Sequence, residues 1–147
     1  MLLTAAYYLA PFEGTGGDNF ALHLVLSVLV LIAAVAYTLV SVLRADFPVI
    51  RAAEGIAILI VIMLLAFAST YSVMSRTEPT SFSEALDHTG ALYFAVTTST
   101  TVGFGDITPS TGPARVAVMV QMLANVLLIG VGIRLLVSTA KRRARAT

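Results

Sequence analysis

Thr98-Ser99-Thr100-Thr101-Val102-Gly103-Phe104-Gly105-Asp106 stands between two apolar runs, Ile56 to Val73 and Val116 to Val137, and its reading decides the fold. Each flanking run suits a hydrocarbon core about 30 Å thick, which takes about 20 apolar residues in helix. The stretch between them opens with Arg76, Glu78 and Pro79, closes at Pro113, and is too apolar for a surface loop. Ser81 with Glu84 matches a capping box, which predicts a helix from Ala85 to Ser99 that ends in hydroxyls and then glycines. That helix is too short to cross. A re-entrant segment leaves non-helical backbone at membrane depth, which is tolerated only where it is buried in protein or lines a wet cavity.

Working outward, Phe20 to Leu43 is a third apolar run, interrupted only by His23 and a few hydroxyls. The 147 residues are 58% hydrophobic and 12% charged, against roughly 25% charged in a soluble domain, so the expected class is an all-α membrane protein with three transmembrane helices and a short re-entrant helix and loop. A formal net charge of +1 excludes disorder as the main state and gives no electrostatic case for nucleic acid. Without cysteine there is no disulfide, thiolate metal site or cysteine nucleophile. No constellation of nucleophile, base and oxyanion donors suggests an enzyme. Arg44 and Arg51 flank the first connection, and Lys141, Arg142, Arg143 and Arg145 crowd the tail, whereas Arg76 and Arg115 lie on the other side. The positive-inside rule then makes the connection and tail cytoplasmic and the N-terminus outside, in the cell membrane. The expected organisation is an extracellular lead over 1–19, an extra transmembrane helix over 20–43, a cytoplasmic connection over 44–55, a domain of two spans with the re-entrant loop between them over 56–138 and a basic tail over 139–147. The lead, with Gly14, Gly16 and Gly17, has no basic residue ahead of its apolar part, so it reads as interfacial rather than as a cleaved signal.

In an extended strand successive carbonyls point to opposite sides, and aiming them at one axis requires residues that tolerate positive φ. Gly103 and Gly105 do so without steric cost. The carbonyls of Thr101, Val102, Gly103 and Phe104, with the Thr101 hydroxyl, would then form a column of acceptors. One chain cannot enclose an ion with them. Four copies around an axis would replace the hydration shell of K+ by rings of oxygens, and the motif occurs once, so a homotetramer is expected. The carboxyl end of the short helix would add partial negative charge favourable to a cation.

Thr101 to Asp106, preceded by Ala91-Leu-Tyr-Phe-Ala-Val-Thr-Thr-Ser-Thr, resembles the pore helix and selectivity filter of the potassium channel superfamily, specifically small bacterial pore-only channels of the two-transmembrane type, here with an extra N-terminal helix. The resemblance covers roughly Ile56 to Val137. It implies a passive potassium-selective channel with Thr101, Val102, Gly103, Phe104 and Gly105 as the filter and Tyr93, Phe94, Thr97, Thr98 and Asp106 as its support, with no cofactor beyond K+ as the permeant ion. Two departures stand out. The usual filter aromatic is Tyr, and Phe104 lacks its hydroxyl, so one restraint on the filter is missing. Where some relatives place a pore-helix Glu against the filter Asp, this chain has Thr97, so Asp106 must find another partner or water.

In the inner helix Asn125 falls where many relatives keep a hinge glycine, and Gly130 and Gly132 become the bending candidates, with close helix packing as the alternative. Val126, Ile129, Ile133 and Val137 share one face and are the candidates for the cavity and a hydrophobic gate. Gln121 and Asn125 also share a face and suit interhelical hydrogen bonds. Arg134 lies about 28 Å beyond Arg115 at 1.5 Å per residue, at the cytoplasmic interface. The first span carries no arginine, which excludes a charged voltage-sensing helix. His23 and His88 are isolated and build no metal site. The tail at Lys141, Arg142, Arg143 and Arg145 suits anionic lipid. A non-selective cation pore on the same frame, or the pore subunit of a potassium uptake system, are the competing functions.

Overall fold

A computed structural model describes residues 20–45 and 48–144, and every regular element among them is helical apart from one isolated bridge between Phe82 and Pro109. Helix α1 is Phe20–Leu43, α2 is Pro48–Thr77, α3 is His88–Ser99 and α4 is Gly112–Ala144. Three stretches, Leu24–Leu43, Ile50–Thr77 and Gly112–Arg134, are long and apolar enough to cross a bilayer. The protein is thus an all-α, multi-pass membrane protein. The lead over 1–19, Asp46 and Arg145 fall outside the described residues, as do the side chains of Lys141, Arg142 and Arg143.

Three boundaries differ from the sequence expectation. Residues 48–55, expected in the connection, form the first two turns of α2, with Pro48 as its first residue. That is where proline is tolerated, since the first helical N–H has no intrahelical partner. Helix α4 runs from Gly112 to Ala144, so most of the expected tail continues the helix. The predicted capping box is absent. Ser81 closes a 3-10 turn over Pro79–Ser81, is buried, and accepts from the Ser110 N–H through its carbonyl at 2.8 Å. The helix starts seven residues later, where the Asp87 carboxylate caps the Gly90 N–H at 2.6 Å. Phe82 and Leu86 are both buried, and the Leu86 N–H donates to Ser75 Oγ at 2.7 Å, so burial holds this segment out of helix against its local helical signal.

Helix α2 is the common wall against which α1, α3 and α4 pack. Its Tyr71 meets Phe82 and Phe94 edge-on, with ring centroids 5.6 and 5.2 Å away, and Phe82 meets Phe94 at 5.5 Å. Each such pair contributes about 0.5–1.5 kcal/mol beyond its buried area. Lipid tails are as apolar as leucine, so helix association in a bilayer leans on close packing and hydrogen bonds. Helix α1 uses both: Ser27 Oγ donates to the Ala66 carbonyl at 3.1 Å and lies 3.0 Å from Thr70 Oγ1, while Gly55 leaves room for the Thr38 methyl. At the other end of the same pair, Arg51 Nε donates to Ser41 Oγ at 2.9 Å and Arg51 pairs with Glu54 at 3.3 Å.

Candidate functional site

Helix α3 ends at Ser99, and the chain leaves it through Thr100 into Thr101–Gly105. Along those five residues the sign of φ alternates. Thr101 is at +60°, Gly103 at +53° and Gly105 at +79°, whereas Val102 and Phe104 keep negative values. Such alternation is the backbone condition under which successive peptide units can face the same way. The glycines were legible in the sequence. Thr101 was not, since a β-branched residue with positive φ is a genuine outlier that costs on the order of 1–3 kcal/mol and persists only where its surroundings impose it.

The imposing groups are on α3. The Gly103 N–H donates to the Thr97 carbonyl at 3.2 Å and the Thr101 N–H to the Thr98 carbonyl at 3.3 Å, so the segment hangs from the carboxyl end of the helix. Thr97 is buried with its hydroxyl on the Phe94 carbonyl at 3.1 Å. Thr97 and Thr98 thus support the loop through backbone oxygens, a role that side-chain chemistry did not announce. Below this helix end lies a recess of about 380 Å³ reached by Ser99, Thr100, Asn125, Ile129 and Ile133.

At the far end of the segment Tyr93 supplies what the sequence left open. Its ring stacks on Phe104 at 6.5 Å with planes 2° apart, and its hydroxyl donates to Asp106 Oδ2 at 2.6 Å. Asp106 therefore has a partner in place of the missing glutamate, and Phe104 is held by its face. The Tyr93 hydroxyl, with the Ile107 N–H on Oδ1 at 3.0 Å, holds the Asp106 carboxyl below the usual carboxylate range against the opposing pull of desolvation; the same bond raises Tyr93. Ser83 ties the next turn down, accepting from the Thr108 N–H at 3.0 Å, while the Ser83 N–H donates to the Thr108 carbonyl at 2.9 Å. Arg115 Nε reaches the Pro109 carbonyl at 3.4 Å.

Gln121 joins three helices. Fully buried on α4, it accepts from the Tyr71 hydroxyl of α2, and its Nε2 donates to the Ala95 carbonyl at 2.9 Å and Ser99 Oγ at 2.6 Å on α3. The interhelical hydrogen bonds expected of Gln121 are present, whereas the buried Asn125 Oδ1 has no partner among the described residues. On the same helix Gly132 lies against Ile56, 3.5 Å from where a Cβ would stand, and Gly130 has open space around it. Val126, Ile129, Ile133 and Val137 are exposed on the chain, as are Val102 and Phe104, which are 55% and 70% exposed.

Residues 59–142 match the profile of a family described as Ion channel. Over 73 residues the chain is 36% identical to the rice protein "Two pore potassium channel b" (Oryza sativa subsp. japonica), a match covering 50% of this chain. It spans about 20% of that relative's length. No solved structure matches the chain. The family match spans more than half of the chain and contains α3, the Thr101–Gly105 segment and nearly all of α4, and the chain belongs to the ion channel family.

Proposed function

We propose that four copies of this chain form a passive potassium-selective channel in the cell membrane, with the carbonyls of Thr101, Val102, Gly103 and Phe104 and the Thr101 hydroxyl as the ion ligands. The observation that carries the reading is the alternation of φ sign from Thr101 to Gly105, which lets one strand present its oxygens on one side. Exposure of Val102, Gly103 and Phe104 on the single chain supports it, because nothing among the described residues closes a ring around an ion. The potassium channel named among the relatives supports the choice of ion. Membership of an ion channel family favours conduction over any enzymatic role. Helix α3 would direct its negative end at the ion beneath the filter.

In this reading Tyr93, Phe94, Thr97, Thr98 and Asp106 hold the filter. Val126, Ile129, Ile133 and Val137 line the path below it, where an apolar constriction gates by dewetting. The open space at Gly130 favours it over Gly132 as the bending point, since Gly132 serves a close contact with Ile56. The Lys141, Arg142, Arg143 and Arg145 tail faces the cytoplasm, the N-terminus lies outside, and the tail meets anionic lipid. Helix α1, carrying no arginine or lysine, braces α2 rather than sensing voltage. Planar-bilayer recording of the purified full chain between opposed K+ and Na+ solutions tests the proposal. A reversal potential near the K+ equilibrium potential supports it. A reversal potential near zero would identify a non-selective cation pore, and absence of any current across verified tetramers would contradict conduction.

A further inference from the structure

Helices α1 and α4 both run antiparallel to α2. Ser27 meets Ala66 and Thr70 while Ser41 meets Arg51, and Tyr71 meets Gln121 while Ile56 meets Gly132. They are therefore parallel to each other, and between them lies a groove of about 550 Å³. Leu31, Val35 and Leu39 form one wall and Leu123, Leu127 and Val131 the other, and among the described residues no polar side chain lines it. It extends over Val28 to Leu39 and over Val120 to Val131, about 16 Å at 1.5 Å per residue. That is half of a hydrocarbon core of about 30 Å, the depth of one leaflet.

The groove ends where the charge begins. At that end Leu39 and Val131 pack against Val42 and Ala52. Arg134, the last residue of the α4 span, follows Val131 on the stripe that carries Leu127 and Val131. It is exposed and makes no ion pair among the described residues. Snorkelling explains why an arginine sits at an interface, but not why it stands at the head of this stripe. The stripe of Leu123, Leu127 and Val131 is roughly 115° around α4 from the face of Val126, Ile129, Ile133 and Val137, at 100° per residue. In the tetramer proposed above, on which this orientation rests, the groove faces away from the pore axis.

We infer that the groove holds one acyl chain of an anionic phospholipid from the leaflet on the Arg134 side, with its phosphate on the Arg134 guanidinium. A planar guanidinium pairs two phosphate oxygens at once, and an apolar slot one leaflet deep fits the chain below that head group. The protein has no tryptophan, so a single introduced one reports its own surroundings. Leu127→Trp places it in the groove, with Leu123→Trp as a second position if the first fails to assemble. Val30→Trp, on the opposite side of α1 and half-exposed, reports bulk lipid. The full chain is reconstituted in vesicles containing phosphatidylglycerol or phosphatidylcholine with brominated chains, and fluorescence quenching is followed against mole fraction. The groove tryptophan is expected to be half-quenched at a roughly fivefold lower fraction of brominated phosphatidylglycerol than of phosphatidylcholine, the factor expected of one basic residue at an anionic head group. Arg134→Gln is expected to abolish that preference, and Val30→Trp to show none. Equal quenching by the two lipids, a preference that survives Arg134→Gln, or no quenching in the groove because a second copy of the chain covers it would each overturn the inference. Quenching is read without current, so failure of the lipid site and failure of the channel reading appear in separate measurements.

Discussion

Replacing Gln121 by leucine removes three hydrogen bonds and little volume. The amide is fully buried, its Nε2 spends both hydrogens on the Ala95 carbonyl and Ser99 Oγ, and its Oε1 accepts from Tyr71. Side-chain hydrogen bonds between membrane helices contribute about 0.6 kcal/mol each on average, which gives a loss of about 2 kcal/mol for the three. The groups left behind decide the rest. Ser99 can turn its hydroxyl to the Ala95 carbonyl one turn back, but the Tyr71 ring packs against Phe67, Phe82 and Phe94 and its hydroxyl has no second acceptor among the described residues. Leaving it unpaired adds roughly 1–3 kcal/mol, for a total of about 3–5 kcal/mol. Thermal and denaturant unfolding of the full chain in detergent, followed by circular dichroism, measures this loss. Tyr71→Phe in the Gln121→Leu background is expected to recover about 1–3 kcal/mol, because removing both partners is far less costly than removing one. Unfolding of Gln121→Leu within about 0.5 kcal/mol of wild type, or strict additivity of the two substitutions, would refute the role given to this network.

Three further outcomes follow from the same geometry. Tyr93→Phe keeps the stack on Phe104 but strips Asp106 of its first hydrogen bond. Because the Asp106 pKa is lowered, the wild-type contact is present above the usual carboxylate range and is lost only as pH falls below it. External acid titration of the current is therefore expected to shift upward in Tyr93→Phe, and identical profiles would count against the Tyr93–Asp106 bond. Gly105→Ala adds a Cβ where φ is +79° and nothing lies within 4 Å, so its penalty is conformational, about 1–2 kcal/mol, without a clash. Tetramers are expected to assemble and lose K+ over Na+ selectivity in bilayer recordings, and full selectivity would refute the requirement. Gly55→Ala drives a Cβ into the Thr38 methyl and is expected to destabilise the α1–α2 pair by about 1–3 kcal/mol in the same unfolding assay, with Thr38→Ala restoring it. Absence of that rescue would show that α1 does not rely on this contact.

Much of this molecule is written in hydropathy and glycine placement. The three spans and the loop between them are visible because a bilayer imposes a length on apolar runs, and Gly103 and Gly105 because only glycine adopts positive φ freely. What was not visible depends on tertiary contact. Ser81 and Glu84 have capping-box spacing, yet burial of Phe82 and Leu86 and the pairing of Ser81 with Ser110 hold the segment out of helix. Thr101 at positive φ runs against the preference of its own side chain and is imposed by α3. Tyr93 is one aromatic among several in the sequence, and its bond to Asp106 exists only because the loop folds back along the helix. The extent of α2 is hidden in the sequence because Arg44, Asp46, Pro48 and Arg51 look like a polar break, although proline is well placed at a helix start and Arg51 pairs with Glu54 one turn on.

The central claim is that backbone oxygens of Thr101, Val102, Gly103 and Phe104 from four copies take the place of water around K+. Anomalous diffraction from crystals of the full chain grown with thallium in place of potassium tests it most directly. The account predicts a row of anomalous peaks on a four-fold axis, level with Val102 and Gly103. Tetramers with no axial peak at that level would contradict it.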